Sequence, residues 1–139
     1  MSKGDSHLFT GTRGEAKALI DEVIANGYKI SPEKVLMITK DANGRIAWLE
    51  TGNKKSGLQH ILEEHEDQFN DHGIIKEDIP NYILEAFYQG NIVGTQGNKN
   101  PRTIYDFDYN GKKQRIAIQI GSNGYIVSAN PKSLRRKLK

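Results

Sequence analysis

Residues 102–131 read Arg-Thr-Ile-Tyr-Asp-Phe-Asp-Tyr-Asn-Gly-Lys-Lys-Gln-Arg-Ile-Ala-Ile-Gln-Ile-Gly-Ser-Asn-Gly-Tyr-Ile-Val-Ser-Ala-Asn-Pro. Three alternating segments are separated by Asn110-Gly111 and Asn123-Gly124, and Asn-Gly between alternating segments is the strongest short-range hairpin signal. The stretch is predicted to form a three-stranded antiparallel meander. With Asn110 and Gly111 as the turn, Tyr109 faces Lys112. Counting back sets Asp108 against Lys113, Asp106 against Arg115, Ile104 against Ala117 and Arg102 against Gln119. Side chains alternate across a strand, so Thr103, Tyr105, Phe107, Gln114, Ile116, Ile118 and Ile120 share a core face. Whether the second turn sits at Ser122-Asn123 or at Asn123-Gly124, Val127 joins the core isoleucines. The other face is polar. It carries Arg102, Asp106, Asp108, Lys113, Arg115, Gln119, Ser128 and Asn130, with Ile104, Ala117 and Ile126 among them.

One side of an antiparallel sheet often meets water, so the polar face needs support from the preceding chain. Thr12-Arg-Gly-Glu15 has the form of a capping box, followed by Ala16, Leu19, Ile20, Val23 and Ile24 at helical spacing and by Gly27 as a stop. A hairpin follows, with Val35 to Thr39 and Arg45 to Glu50 flanking Asp41-Ala-Asn43-Gly44, and with Trp48 as an anchor in its second strand. Ser56-Gly-Leu-Gln59 is a second capping box and opens a helix containing Gly57-Leu-Gln-His60-Ile-Leu-Glu-Glu-His65. Leu58, Ile61, Leu62, His65 and Phe69 form its apolar stripe, and His60 lies on the flank of that stripe, about 100° from Ile61. Asp78-Ile-Pro80 starts a third helix that buries Ile79, Ile83, Leu84 and Phe87 and ends at Gly90. Asn91 to Thr95 is a short strand, and Gln96 to Pro101 is a polar connection. His72 belongs to the turn after the second helix, and His7 to the leader.

The composition sets further bounds. The chain has 139 residues and no cysteine, so one domain is the natural reading and no disulfide framework exists. No apolar run approaches the roughly 20 residues of a membrane helix. The formal charge is +3, yet residues 132–139 hold five of the twenty basic residues and no acid, which leaves residues 1–131 at −2. Any polyanion site is therefore a local constellation, to which Lys132, Arg135, Arg136, Lys137 and Lys139 could add attraction. Residues 1–11 read as a flexible leader, 12–131 as the folded domain and 132–139 as a basic tail. The two histidines stand about 140° apart on a helix, and no HExxH spacing occurs. No metal or other cofactor is expected on that geometry.

The string Gly57 to His65, then Arg102-Thr-Ile-Tyr, then Ile126-Val-Ser-Ala-Asn-Pro131 resembles the barnase/EndoU/colicin/RelE-like ribonucleases. It is most similar to the branch found as C-terminal domains of bacterial polymorphic and contact-dependent inhibition toxins and in phage proteins. The resemblance spans about Gly52 to Pro131. It implies an α+β fold with N-terminal helices packed on one face of a twisted antiparallel sheet. It also implies metal-independent RNA cleavage by the substrate's own 2′-hydroxyl, with tRNA a common target. Position by position it points to His60 and His65, to Arg102 and to Ser128, where the family often has threonine; the family's aromatic residue is replaced here by Asn130. The polar-face register adds Arg115 to this set.

The chemistry needs a base for the 2′-hydroxyl, an acid for the leaving 5′-oxygen and donors around the phosphorane. Histidine titrates in the right range, and the arginine fork can bind two phosphate oxygens. His60 and His65 are thus expected as the acid/base pair, Arg102 and Arg115 as phosphate stabilisers and Ser128 as a positioning hydroxyl. Lys113, Gln119 and Asn130 are the expected substrate contacts. His65 serves only where the helix edge opens onto the polar face; otherwise His60 acts with a sheet residue such as Lys113. The implied partners are RNA, a cognate immunity protein and a larger toxin that is exported and delivers the domain to a neighbouring cell's cytoplasm. The alternative is a non-catalytic RNA-binding or protein-interaction module using the same face, although Tyr105, Phe107 and Tyr125 are directed to the core. An immunity protein is a third class with no positive sequence signal.

Overall fold

A computed structural model of the protein describes residues 13–41, 43–99 and 101–134, the side chains of 13–15 apart. The predicted leader, the capping box at Thr12 and the tail beyond residue 134 lie outside the described residues. Helix α1 spans Arg13–Ala25, and a short 3-10 turn at Pro32–Lys34 leads into β1 (Val35–Lys40) and β2 (Ile46–Glu50). Helix α2 (Gly57–Asp71), a second 3-10 turn (Lys76–Asp78) and α3 (Ile79–Gln89) follow. The chain ends in β3 (Asn91–Gln96), β4 (Arg102–Tyr109), β5 (Lys112–Ile120) and β6 (Ile126–Lys132). The fold is α+β: three helices packed against an antiparallel four-stranded sheet, ordered β3-β4-β5-β6, and a two-stranded hairpin.

The β4–β5 ladder has the register expected from the sequence, with Tyr109 opposite Lys112, Asp106 opposite Arg115 and Ile104 opposite Ala117. Asn110 and Gly111 both take positive φ, 52° and 80°, the backbone that lets a two-residue turn follow the twist of its strands. The β5–β6 ladder departs from expectation. Ile120 pairs with Ile126, but Gln119 pairs with Ser128, so Val127 is the extra residue of a bulge. The bulge turns Ile126 into the core, where it is fully buried, and leaves Val127 half-buried. Past it, Ser128 and Asn130 fall on the polar face opposite Gln119 and Ala117, as the sequence predicts.

Helices α2 and α3 cover the core face of the sheet. Ile61 and Phe69 from α2 and Tyr82, Ile83 and Phe87 from α3 join Tyr105, Phe107, Ile116, Ile118 and Ile126 in one cluster. Each such side chain contributes roughly 1.5–3 kcal/mol by leaving water. Helix α1 packs elsewhere. Ala16 and Val23 meet Val35, Ile38, Ile46 and Trp48 on the hairpin, so α1 covers the hairpin in a second cluster. The hairpin is tied to the sheet by the Trp48 N–H, which donates to the Gly124 carbonyl at 3.0 Å. Trp48 is the anchor expected of it: it is fully buried, meets Tyr125 edge to face at 6.0 Å and donates from Nε1 to Glu50 Oε2 at 3.0 Å.

Helix α2 starts after Ser56, as predicted, but without a capping box. Ser56 Oγ instead shares a 2.9 Å hydrogen bond with Tyr125 Oη, and Gln59 Nε2 donates to Glu63. The helix end is held by its loop instead. Gly52 and Gly57 close that loop with φ of 71° and 83°.

Candidate functional site

The polar face of the sheet is arranged in transverse rows. Gln96 pairs with Arg102, and Gln119 pairs with Ser128. Extending the β4–β5 ladder one residue beyond Thr103 and Ile118 places Arg102 opposite Gln119. Gln96, Arg102, Gln119 and Ser128 therefore form one row across all four strands. Arg102 and Ser128 lie two strands apart in it, about 10 Å between backbones, a gap that an arginine side chain reaches into. The next row holds Gly94, Ile104, Ala117 and Asn130. The sequence implied a largely solvated face, but Ile104, Ala117 and Ser128 are buried. Alanine and serine are short, and they stand between the longer side chains of Arg102, Arg115, Gln119 and Asn130.

Among the described residues, two buried groups on this face have no hydrogen-bond partner: Arg102 Nη1 and Ser128 Oγ. Ser128 is only 1% exposed. Buried polar atoms in folded proteins are almost always paired, and an orphan costs roughly 1–3 kcal/mol. Burial also lowers the Arg102 pKa, which marks the cost of desolvating its charge. Both costs fall if an anion with acceptor oxygens enters the row.

Helix α2 brings the histidines to this place. It packs along β6, and its stripe position at His65 is left out of the core clusters, half-buried rather than packed away. The His65 pKa is lowered, chiefly by burial and further by the positive charges of Arg102 and His60, against the opposing effects of Gln68 and Glu64. Arg102 is thus near enough to His65 for its charge to act on the ring. His60 and His65 meet edge to face, with ring centroids 6.4 Å apart.

Both rings are held by Nδ1. His60 Nδ1–H donates to the Lys54 carbonyl at 2.9 Å, and a carbonyl can only accept, so this nitrogen carries the proton. His65 Nδ1–H donates to Gln68 Oε1 at 3.1 Å. In each neutral ring Nε2 then carries the lone pair. Lys54 lies in the Gly52–Gly57 loop, where the Asn53 N–H donates to the Ser56 carbonyl at 2.8 Å and Asn53 Oδ1 accepts from the Lys55 and Ser56 amides.

The remaining expected site residues are spread along the face. Asn130 lies one row from Ser128, with its Nδ2 on the Pro131 carbonyl at 3.3 Å. Arg115 stands four residues from Gln119, about 13 Å along the strand, with its fork on Asp106: Nε to Oδ1 at 2.6 Å and Nη2 to Oδ2 at 2.9 Å. That carboxylate raises the Arg115 pKa. Lys113, opposite Asp108, lies further still, about 20 Å from Gln119. The structure thus sets Arg102, Gln119 and Ser128 in one row, His60 beside His65, and His65 within reach of the Arg102 charge, and it leaves Arg115 and Lys113 at the other end of the face. Gln68, Gln96 and the Lys54 carbonyl were not anticipated. The i,i+3 spacing of His65 and Gln68 on a helix was the signal available for the first.

Among the described residues, no group of three or more acidic or histidine side chains could hold a metal ion, and no helix is long and apolar enough to cross a membrane. No protein-family model matches the chain, and no curated protein matches it significantly.

Proposed function

We propose that this domain is a metal-independent endoribonuclease of the bacterial toxin type, built on the barnase/EndoU/colicin/RelE-like plan and directed at tRNA. The observation that carries the reading is one row holding two orphaned phosphate-competent groups, Arg102 Nη1 and Ser128 Oγ, with the Arg102 charge acting on His65, a histidine whose pKa is lowered.

In this reading His65 is the general base. Its lowered pKa keeps Nε2 unprotonated near neutrality, ready to take the proton of a ribose 2′-hydroxyl. The 2′-oxygen attacks phosphorus, the bond from phosphorus to the 5′-oxygen breaks, and the leaving 5′-oxygen takes the Nε2 proton of a His60 imidazolium, whose Nδ1–H stays on the Lys54 carbonyl. The products are a 2′,3′-cyclic phosphate and a free 5′-hydroxyl. Arg102 and Ser128 donate to the non-bridging oxygens as charge builds on the phosphorane. Gln119, between them in the row, contacts the same phosphate or its ribose. Arg115 and Lys113 are too far along the face for the scissile phosphate and meet more distant parts of the substrate. A cognate immunity protein covering this face, and a larger exported toxin that carries the domain into a neighbouring cytoplasm, follow from the same reading.

The test is incubation of the purified domain with total bacterial RNA in excess EDTA, beside the His60→Ala variant, resolved on a denaturing gel. Discrete fragments from the wild type alone, foremost in the tRNA band, support the reading. Intact RNA with salt-sensitive RNA affinity would replace it with a binding module on the same face.

A further inference from the structure

One edge of the sheet lies open. Strand β3 stands at the end of the strand order and pairs with β4 alone, whereas β6, at the opposite end, is flanked by α2 and β2. Every residue of β3 except Gly94 is exposed. Ile92 is 62% exposed and Val93 38%, and Tyr88, just before the strand at the end of α3, is 52% exposed. Single apolar side chains on a surface are ordinary, but three within residues 88–93 call for an explanation. Edge strands normally carry a lysine, another charge or a proline that keeps a second strand away. Among the described residues, β3 is the only one of the six strands with no charged residue, and it has no proline either. The strand that meets water most is therefore the one least protected against pairing.

The register says what kind of strand fits. Asn91, Gly94 and Gln96 pair with Asp106, Ile104 and Arg102 on the polar face, and Ile92 and Thr95 pair with Tyr105 and Thr103 on the core face. Val93 is the extra residue of a bulge between the two halves. A bulge usually shields an edge, but this one shifts the alternation by one residue. Asn91 and Gln96, an odd number of positions apart, therefore agree both in face and in the direction of their backbone N–H and C=O groups; Ile92 and Thr95 agree in the same way. An antiparallel copy of the strand, turned about a twofold axis at the Val93–Gly94 step, sets Asn91 opposite Gln96 and Ile92 opposite Thr95 with every face and hydrogen-bonding direction matched. Self-complementarity of this kind is what a twofold interface requires. With no charge on the strand, no like charges meet. Ile92 lies on the helix side of the sheet yet is exposed, so the helices do not reach over β3 and leave room for the second copy.

We infer that β3 is the seat of a twofold dimer, in which two copies of this chain join their four-stranded sheets into one through antiparallel β3 pairing. Both polar faces then lie on the same side, and the row of Arg102 and Gln96 continues into Asn91, Asp106 and Arg115 of the second copy. The inference does not depend on the ribonuclease reading. Six residues a side make a small interface, which belongs to the weak class of associations. The test is therefore sedimentation of the whole protein from about 10 μM to about 1 mM, where the wild type should pass from monomer to dimer. Ile92→Lys/Thr95→Lys places like charges opposite each other twice and should raise the dissociation constant at least about tenfold. Ile92→Lys/Thr95→Glu places opposite charges there and should recover most of that loss, which only the stated register predicts. Both side chains are exposed, so the variants leave the core intact. Amide exchange of residues 91–96 in the wild type should also slow as concentration rises. A wild type that stays monomeric throughout, with no such slowing, overturns the dimer and leaves the edge to a different partner. A dimer equally stable in all three proteins places the interface elsewhere and overturns it as well.

Discussion

His60 and His65 stand five residues apart on one helix, yet their rings meet at 6.4 Å with planes 84° apart. Each ring spends Nδ1–H on a neighbour, which leaves the lone pair of the neutral ring on Nε2. That arrangement suits two proton transfers on opposite sides of one phosphate. His60→Ala and His65→Ala should each lower single-turnover cleavage at least about tenfold and up to a thousandfold. The double variant should lose less than the product of the two, since acid and base act as a unit. Near-normal rates in both single variants would remove the histidines from the mechanism.

The pH dependence has a definite sign. A base must be unprotonated, so activity falls as pH drops through the His65 pKa, and burial places that acidic limb below the usual histidine value of about 6.5. Arg102 pushes this pKa down and the Gln68 hydrogen bond pushes it up. NMR titration should therefore find the His65 pKa higher in Arg102→Gln and lower in Gln68→Ala than in the wild type. The folded state also resists protonating His65, so this residue's contribution to stability is present above about pH 6.5 and is lost as pH falls through the lowered folded value. Equal titration in all three proteins would separate Arg102 from the histidine site.

Much of this was legible from residues 102–131. Asn-Gly fixed the β4–β5 turn, and strict alternation then assigned every side chain to a face, because a one-residue slip would have exposed three isoleucines. The bulge at Val127 was not legible, since Ile126 and Val127 are both apolar and β-branched and either satisfies the pattern. The packing of α1 on the hairpin was hidden for a related reason: an amphipathic stripe announces that it is buried, not what buries it. His65 sat on a core stripe by spacing, and only its half-buried position, with Nδ1–H on Gln68, shows why a polar ring is tolerated there. Arg115 was placed correctly on the face, but its pairing with Asp106 follows from the register and could have been weighed against a phosphate role.

Ser128 should trade stability for activity. Its hydroxyl is buried and unpartnered, so replacement by alanine removes an unsatisfied group without opening a large cavity. Ser128→Ala should raise the free energy of unfolding, by up to roughly 1–3 kcal/mol, while slowing RNA cleavage. Denaturant titration beside a rate measurement checks both. A less stable Ser128→Ala protein would show that the hydroxyl has a structural partner and does not wait for a ligand.

Gly52 sets the loop that holds His60. A Cβ built there would run into the Ser56 carbonyl oxygen and lie 2.7 Å from the Gly57 Cα, and the residue's φ is +71°. Neither contact can yield without moving backbone, and the left-handed conformation disfavours any side chain. Gly52→Ala should cost at least about 1–3 kcal/mol and should shift the loop whose Lys54 carbonyl accepts the His60 proton at 2.9 Å. Lys54→Ala is the control, because it removes an exposed side chain and keeps the carbonyl. Nitrogen chemical shifts of the His60 ring should therefore report a mixed tautomer in Gly52→Ala and the Nδ1–H form in Lys54→Ala. If the ring keeps one tautomer in both, the loop does not orient His60, and the acid role would need another source of alignment.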